Sequence, residues 1–355
     1  MKDIYEMLRE KLDKFPIGMP ASKEAIDILK ILYTPEEAEI ALKLPILNKS
    51  LEELSVDIGE DQHRIQEILD RMADKGTVYA MEKNGKKFYR MLPSVEGYAE
   101  TPFWAGKIDA TARKLAPLWR KYFDDKFAHE LGDRENTLMR VVPLHTTISN
   151  ASQVTPYEDM VKLLEQNTYF AVAYCPCRQI MRETGSGCNH LLEVCFHFDS
   201  MGKYMVEHHM AKELSREETL DILKKCNEDG LVHVTYNNQG KINTICNCCS
   251  CCCIFFRALK QHNLPGSLAR SNYVCTIDVD LCTGCETCTE RCPVAAITVD
   301  EIAQVDKHRC IGCGVCYPSC PSEAITLTRR PDDQIHEILD SQTWLMKSLK
   351  EKGLI

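Results

Sequence analysis

Cys282-Thr-Gly-Cys285-Glu-Thr-Cys288-Thr-Glu-Arg-Cys292-Pro293 is followed by Cys310-Ile-Gly-Cys313-Gly-Val-Cys316-Tyr-Pro-Ser-Cys320-Pro321. Each copy runs into a short apolar tail, Ala296-Ile297-Thr298-Val299 and Ala324-Ile325-Thr326-Leu327. Three thiolates at C-x2-C-x2-C spacing wrap one [4Fe–4S] cube and leave its fourth corner to a ligand from elsewhere. In paired runs of this kind the fourth Cys of each copy serves the other copy's cluster. The spacing therefore predicts Cys282, Cys285, Cys288 and Cys320 on one cluster, and Cys310, Cys313, Cys316 and Cys292 on the other. Zinc also takes four-cysteine sites built from C-x2-C pairs. It explains neither the third cysteine at the same spacing, nor the Cys-Pro ending, nor the duplication.

On these residues the chain resembles a bacterial-type two-cluster ferredoxin over about residues 273–330. The resemblance implies a ferredoxin-like fold and transfer of single electrons between redox partner proteins.

The 355 residues leave room for two or three domains. Twenty cysteines are far more than an ordinary reduced protein carries, and in a secreted chain would suggest a disulfide framework. The start, Met1-Lys-Asp-Ile-Tyr-Glu-Met-Leu-Arg-Glu, is charged and amphipathic and lacks the apolar stretch of a signal peptide. The cysteines also crowd as C-x-C and C-C-C, too close in sequence for disulfide geometry with one another. Thiolates for metal in a reducing cytoplasm are the expectation. No stretch approaches the roughly 18–20 apolar residues that span a bilayer, so direct membrane insertion is not expected. A net charge of −9, with no basic tract, argues against a nucleic-acid or lipid surface.

Outward from the ferredoxin run, the pattern predicts a multidomain α+β chain. Residues 1–96 combine N-terminal helices with a module at 34–92, 97–270 form a central α/β Cys-rich module, 271–330 the two-cluster domain, and 331–355 a C-terminal helix. Within 34–92, Thr34 and Pro35 open one helix. Leu51–Ile58 gives a second, and Ile65, Ile68, Leu69 and Met72 mark a third. Two β-prone runs then flank Asn84-Gly85, a strong hairpin signal. Three helices followed by a hairpin resemble a winged-helix domain. Gly97–Trp104 reads as a linker. Ala105–Gly132 and Tyr157–Gln166 read as helices, as does Ser215–Asp229 behind a Ser215/Glu218 capping box. Leu231–Tyr236 and Lys241–Cys246 read as a hairpin, and Gln334–Lys352 as a polar helix.

Twelve cysteines lie outside the two runs, ten of them in the central module: Cys175, Cys177, Cys188, Cys195, Cys246, Cys248, Cys249, Cys251, Cys252 and Cys253. Cys175-Pro-Cys177 sits where a predicted strand ends, and the 246–253 run leaves a strand and enters a predicted helix, Ile254–Gln261. A helix N-terminus favours thiolate over thiol. Two cysteine-bearing strand ends facing each other across one site would hold a further iron–sulfur cluster, with zinc from four of the ten as the alternative. Cys226, in mid-helix, reads as a buried small hydrophobe, while Cys275 stays undecided. The adjacent cysteines bring to mind the heterodisulfide-reductase type of cluster motif, but no Gly follows the pairs and no C-x2-C closes the motif. The 105–330 arrangement is similar to iron–sulfur proteins of anaerobic microbes described only as ferredoxin-domain proteins, which implies redox work. Among the central histidines (His190, His197, His208, His209, His233), each is read as a solvated or core residue. Neither G-x-G-x-x-G after a strand nor G-x4-G-K-[ST] occurs, so an organic cofactor would sit in a partner.

Three functions are compatible with this reading. The first is electron transfer as a subunit or partner of an anaerobic oxidoreductase. The second is a redox-sensing winged-helix regulator. Residues 34–92 hold nine basic against twelve acidic residues, a net charge of −3. The would-be recognition helix carries Glu67, Asp70 and Asp74, a poor match to phosphate. The module is therefore read as a protein-docking unit. The third is reduction of a small anion beside Cys175, Cys177 and Arg178.

Overall fold

Helix boundaries follow caps written into the sequence. Asp3 caps Ile4–Leu12 and Ser22 caps Lys23–Leu32, and the chain breaks between them around Pro16 and Pro20. Thr34 and Glu37 form a capping box on Pro35–Lys43, and Ser50 and Glu53 another on Leu51–Ile58. Asp61 caps Gln62–Asp74. The structure is a computed structural model that describes residues 2–144, 148 and 158–355. It is a mixed α+β architecture.

Strands β1 (Lys49–Ser50), β2 (Val78–Lys83) and β3 (Lys86–Met91) form an antiparallel sheet in the order β1-β3-β2. Asn84 and Gly85 take φ of 54° and 73° at the β2–β3 turn, which makes the tight two-residue hairpin. Against this sheet lie Leu51–Ile58 and Gln62–Asp74, with Ile65, Ile68, Leu69 and Met72 buried, and Pro35–Lys43 packs on Leu51–Ile58.

Glu37 is buried at the centre of this unit, with Lys75 Nζ at 2.7 Å and Arg71 Nε at 3.1 Å, and it accepts from the Thr34 N–H at 2.8 Å. Burial pushes its carboxyl up, but contact with Lys75, Thr34 and Arg71 more than offsets this and holds it below the ordinary range. A folded-state pKa below the unfolded one means that Glu37's contribution is complete above the usual carboxylate value of about 4.3, and is lost as pH falls through the folded value. Glu37→Gln should cost roughly 2–3 kcal/mol, below the full buried-pair range because Lys75 and Arg71 remain half-exposed. It should also flatten the acid limb of a urea-denaturation profile measured from pH 6 down to 3.

The central sheet uses β4 (Met139–Val141), β5 (Phe170–Tyr174), β6 (Glu193–Phe198), β7 (Lys212–Leu214), β8 (Val232–Tyr236) and β10 (Thr244–Cys248), all antiparallel, in the order β4-β8-β10-β6-β5-β7. The short β9 (Asn238–Gln239) lies between β8 and β10 in the chain. Strand alternation sorts the two faces. Val172, Phe196, Phe198 and Ile245 pack with Leu163, Leu164 and Leu223 on one side. Ala173 and Cys195 pack with Tyr204, Met205, Ala73 and Tyr79 on the other.

That second face meets the N-terminal unit. Tyr204 donates its hydroxyl to Ala73 O and Val78 O (3.1 and 2.9 Å), its ring centroid stands 5.0 Å from that of Tyr79, and His208 contacts Asp74 at 2.6 Å. The stretch expected to be a linker is part of this junction. Thr101–Trp104 is helical, and Tyr98, Phe103 and Trp104 are fully buried. Its aromatic side chains are what distinguish it from a spacer, since three large rings seek burial.

Helices run through Ala110–Gly132 as three consecutive segments behind an Asp109 cap. They also cover Met160–Leu164 and Arg216–Glu228. Tyr157, which opened an expected helix, lies outside the described residues. β8 and β10 do pair, with Cys246 opposite Val234, though the connection between them includes β9. The C-terminal helix starts later than expected, at Ser341 behind an Asp340 cap, because Leu339–Asp340 pair with β9.

Candidate metal centres

The C-terminal repeat is a pseudo-twofold frame with an offset of 28 residues (282 to 310). β11 (Tyr273–Ile277), leading into the first run, pairs with β14 (Ile325–Arg329), which follows the second. β12 (Ile297–Val299), following the first run, pairs with β13 (Ala303–Val305), which leads into the second. The registers match under the offset: Cys275 faces Leu327, and Val299 faces Ala303.

The environment of each sulfur repeats too. Cys292 Sγ accepts from Ala296 N–H at 3.1 Å, and Cys320 Sγ from Ala324 N–H at 3.3 Å. Cys282 Sγ accepts from Ala303 N–H at 3.4 Å, and Cys310 Sγ from Cys275 N–H at 3.5 Å. Gly284 and Gly312 occupy equivalent left-handed turns (φ 66° and 65°), where an added Cβ would meet Glu301 O at 2.4 Å and Tyr273 O at 2.1 Å. Only glycine fits such a turn against an opposing backbone.

Cys282, Cys285, Cys288 and Cys320 line one cavity with Ile277, Val299, Ala303 and Ile325. Burial, followed by the charges of Cys316, Cys310 and Cys292, pushes the Cys313 thiol well up. Cys310, Cys313 and Cys316 are buried, whereas Cys285 is exposed and Cys282, Cys292 and Cys320 are half-buried. Soft sulfur donors, backbone N–H groups aimed at them and apolar walls fit iron–sulfur cubes, whose bridging sulfides and anionic charge favour such surroundings. Cys275 is a thirteenth-hour neighbour rather than part of either run: its Sγ lies 3.8 Å from Cys316 Sγ, and its pseudo-symmetric counterpart is Ala303.

The ten central cysteines divide between two positions. Cys188, Cys249, Cys251 and Cys252 have sulfurs all within 4.8 Å of one another. Cys188 stands 3.9 Å from Cys249 and 3.6 Å from Cys252, and Cys251 lies 3.7 Å from Cys252. Cys249 and Cys252 pack with Met181, Val194, Leu231 and the buried Cys226. Contact with Cys252 and the Arg178 guanidinium bring the Cys249 thiol down to about 3 against the opposing effect of burial. Cys226 stays out of this group, and burial pushes its thiol up to about 12.

Cys175, Cys177, Cys195, Cys246, Cys248 and Cys253 line a second cavity with Glu100, Ile254 and Phe255, and Cys249 contributes to its wall. Cys175 and Cys253 immediately precede the helices Pro176–Glu183 and Ile254–Gln261. Burial raises the Cys253 thiol, but contact with Cys177 and Cys248 and the Phe256 N–H of the helix start bring it down to about 6. Glu100 comes from the stretch expected to be a linker, so no cysteine spacing pointed to it.

Arg178 is fully buried and donates to Leu191 O at 2.6 Å and to Asn247 O. Of the five central histidines, His197 alone touches a cysteine: Nε2 is 3.3 Å from Cys195 Sγ, while Nδ1 is held by Glu96. His190 pairs with Asp229 (3.1 Å) and His208 with Asp74. His209 occupies a turn at φ 59°. His233 bonds Asn247 Oδ1 at 2.6 Å, and burial brings its imidazole down to about 4.

Among the described residues no helix is long and apolar enough to cross a membrane. The 4Fe–4S dicluster domain family matches residues 275–321, a segment that contains all eight cysteines of the two runs. No curated protein and no solved structure matches the chain.

Proposed function

We propose that the chain is an electron-transfer protein of anaerobic metabolism, a subunit or partner of an oxidoreductase. Cys282, Cys285, Cys288 and Cys320 hold one [4Fe–4S] cluster, and Cys310, Cys313, Cys316 and Cys292 the other. The supporting observation is the doubled frame, in which strand register, N–H···S bonds and forced glycines all repeat at one offset around a family-matched segment. The clusters supply one-electron storage; the chain supplies the ligands, the N–H groups that stabilise charge on sulfur, and the apolar walls. Cys285 is exposed beside Val279 and Leu281, which keep 57% and 50% of their surface, so a redox partner can approach at that quartet. The central cysteines add a further metal centre, supported by the compact Cys188 group.

The test is made on the anaerobically purified full chain. About eight irons with matching acid-labile sulfide are expected from the two quartets. Paramagnetic signals should develop on reduction and disappear on reoxidation by a one-electron viologen acceptor. Iron that neither reduces nor reoxidises would sink the electron-transfer reading.

We read the N-terminal unit as a winged-helix module that docks protein. Its element order and β1-β3-β2 sheet support the first half of that reading. Charge supports the second: on Gln62–Asp74, Arg64 pairs with Glu36 and Glu60, and Arg71 pairs with Glu36 and Glu37. Lys87 on β3 pairs with Asp70. These cations are already neutralised and leave little for phosphate. A gel shift at low salt with DNA from the chain's own promoter region should give no specific complex. A specific complex would favour a redox-sensing regulator instead.

A further inference from the structure

Seven cysteines line the central cavity; one is Cys249 of the Cys188 group, and the other six come from four separate parts of the chain. Cys175 and Cys177 come from the end of β5 and the start of Pro176–Glu183, Cys195 from β6, Cys246 and Cys248 from β10, and Cys253 from the start of Ile254–Gln261. Strand geometry places three of them together. β10 and β6 pair with Thr244 opposite His197 and Ile245 opposite Phe196, so the same register sets Cys246 opposite Cys195. Cys248 shares the face of Cys246 by alternation. The six thiols form a ring around this one cavity.

This ring is distinct from the Cys188 group on two counts. The apolar surroundings differ for most of the sulfurs: Cys195 packs with Trp104 and Tyr204, and Cys248 and Cys253 with Phe255 and Phe256, whereas Cys249 and Cys252 pack with Met181, Cys226 and Leu231, a cluster that Cys175 and Cys188 both border. Spacing differs as well. Four thiolates on one tetrahedral ion, at metal–sulfur bonds of about 2.3 Å, stand about 3.8 Å apart. The Cys188 group approaches that, and among the described residues it alone brings three or more such donors within 4.8 Å of one another. Neither the six ring thiols nor either ferredoxin quartet gathers three donors that closely. Thiolates spaced more widely than around a single ion suit a body of several metal atoms and bridging sulfides.

We propose that Cys175, Cys177, Cys195, Cys246, Cys248 and Cys253 form a separate site for a polynuclear iron–sulfur cluster. The central part of the chain then carries two metal centres, with the Cys188 group sized for a single ion. Glu100 and Asn247, on the cavity wall, and His197, held by Glu96 against Cys195, are polar side chains that flank the ring. This goes beyond electron transfer by the C-terminal pair and does not depend on it.

The test compares iron, zinc and acid-labile sulfide per chain, with Mössbauer spectra, in the anaerobic full-length protein and two double variants. Cys246→Ser with Cys248→Ser should remove at least about four irons and their sulfide. It should leave the ferredoxin signals and the metal of the Cys188 group in place. Cys188→Ser with Cys251→Ser should leave all ring iron in place. If both pairs remove the same metal, the ring is not a separate site and the proposal fails. If the ring variant keeps its full iron and sulfide, the ring holds no cluster. Should that variant not fold, the unmutated chain decides: clearly more than about eight irons with matching sulfide is expected, and eight or fewer overturns the proposal. Loss of the C-terminal paramagnetic signals would count against the electron-transfer reading, not against the ring.

Discussion

Replacing Cys313 with Ala should strip about four irons from the chain and unfold the C-terminal unit. Cys313 is buried and feels the charges of Cys316, Cys310 and Cys292. Removing it leaves three thiolates without the fourth iron's ligand, at a buried position. Metal binding to such sites is itself folding free energy, on the order of 10 kcal/mol for small metal-held folds. The cross-paired strands transmit the loss, because β11 with β14 and β12 with β13 each join one copy to the other. Limited proteolysis should accordingly cut within residues 271–330. Cys285→Ala should lose the same amount of iron with less unfolding, since Cys285 is exposed.

Cys275 provides the control. Its sulfur is 3.8 Å from that of Cys316, yet its counterpart in the other half is Ala303, which has no ligand to offer. Cys275→Ala should keep all its iron while Cys292→Ala loses a cluster. The reverse outcome would move the fourth ligand of the second cluster from Cys292 to Cys275.

Arg178→Met should have the largest effect outside the repeat. Arg178 ties two segments together by donating to Leu191 O and Asn247 O, and its charge faces Cys175, Cys249 and Cys248. Methionine fills much of the volume but leaves two carbonyls without donors, at about 1–3 kcal/mol each. It also removes the fixed cation beside the thiolates. The expected result is roughly 3–5 kcal/mol of lost stability and depletion of the central metals, with ferredoxin iron unchanged. Arg178→Lys should recover part of the metal but little of the stability, because a single ammonium cannot fork to both carbonyls. Central metal retained in full by Arg178→Met would mean that this charge does not support the thiolates. The small-anion reading of Arg178 is weakened by the same contacts, since both donor arms are already engaged within the chain.

Much of the molecule was legible wherever the chemistry is local. The caps at Thr34, Ser50 and Ser215 and the Asn84-Gly85 turn are decided within a few residues, and each element formed where those signals stood. Gly97–Trp104 was misread because its position between two periodic segments suggested a spacer. Its rings find their partners far away in sequence, as Trp104 does on His197 with ring centroids 4.9 Å apart. The central cysteines were legible as a pool but not as sites. Cys248 and Cys249 are consecutive residues that both reach the ring cavity, yet Cys249 alone of the two joins the Cys188 group, because β10 ends between them and alternation stops there.

By itself, then, the sequence determined the duplicated cysteine runs and hence the iron–sulfur character of the C-terminal segment. Ligand spacing in a cube is a short-range property that a dozen residues can encode. Only the tertiary structure decided how ten further thiols are shared between two places and which residues, Glu100, Glu96 and His197 among them, stand beside them. Those neighbours are set by strand register and by the packing of the N-terminal unit on the sheet, and neither leaves a local mark on the chain.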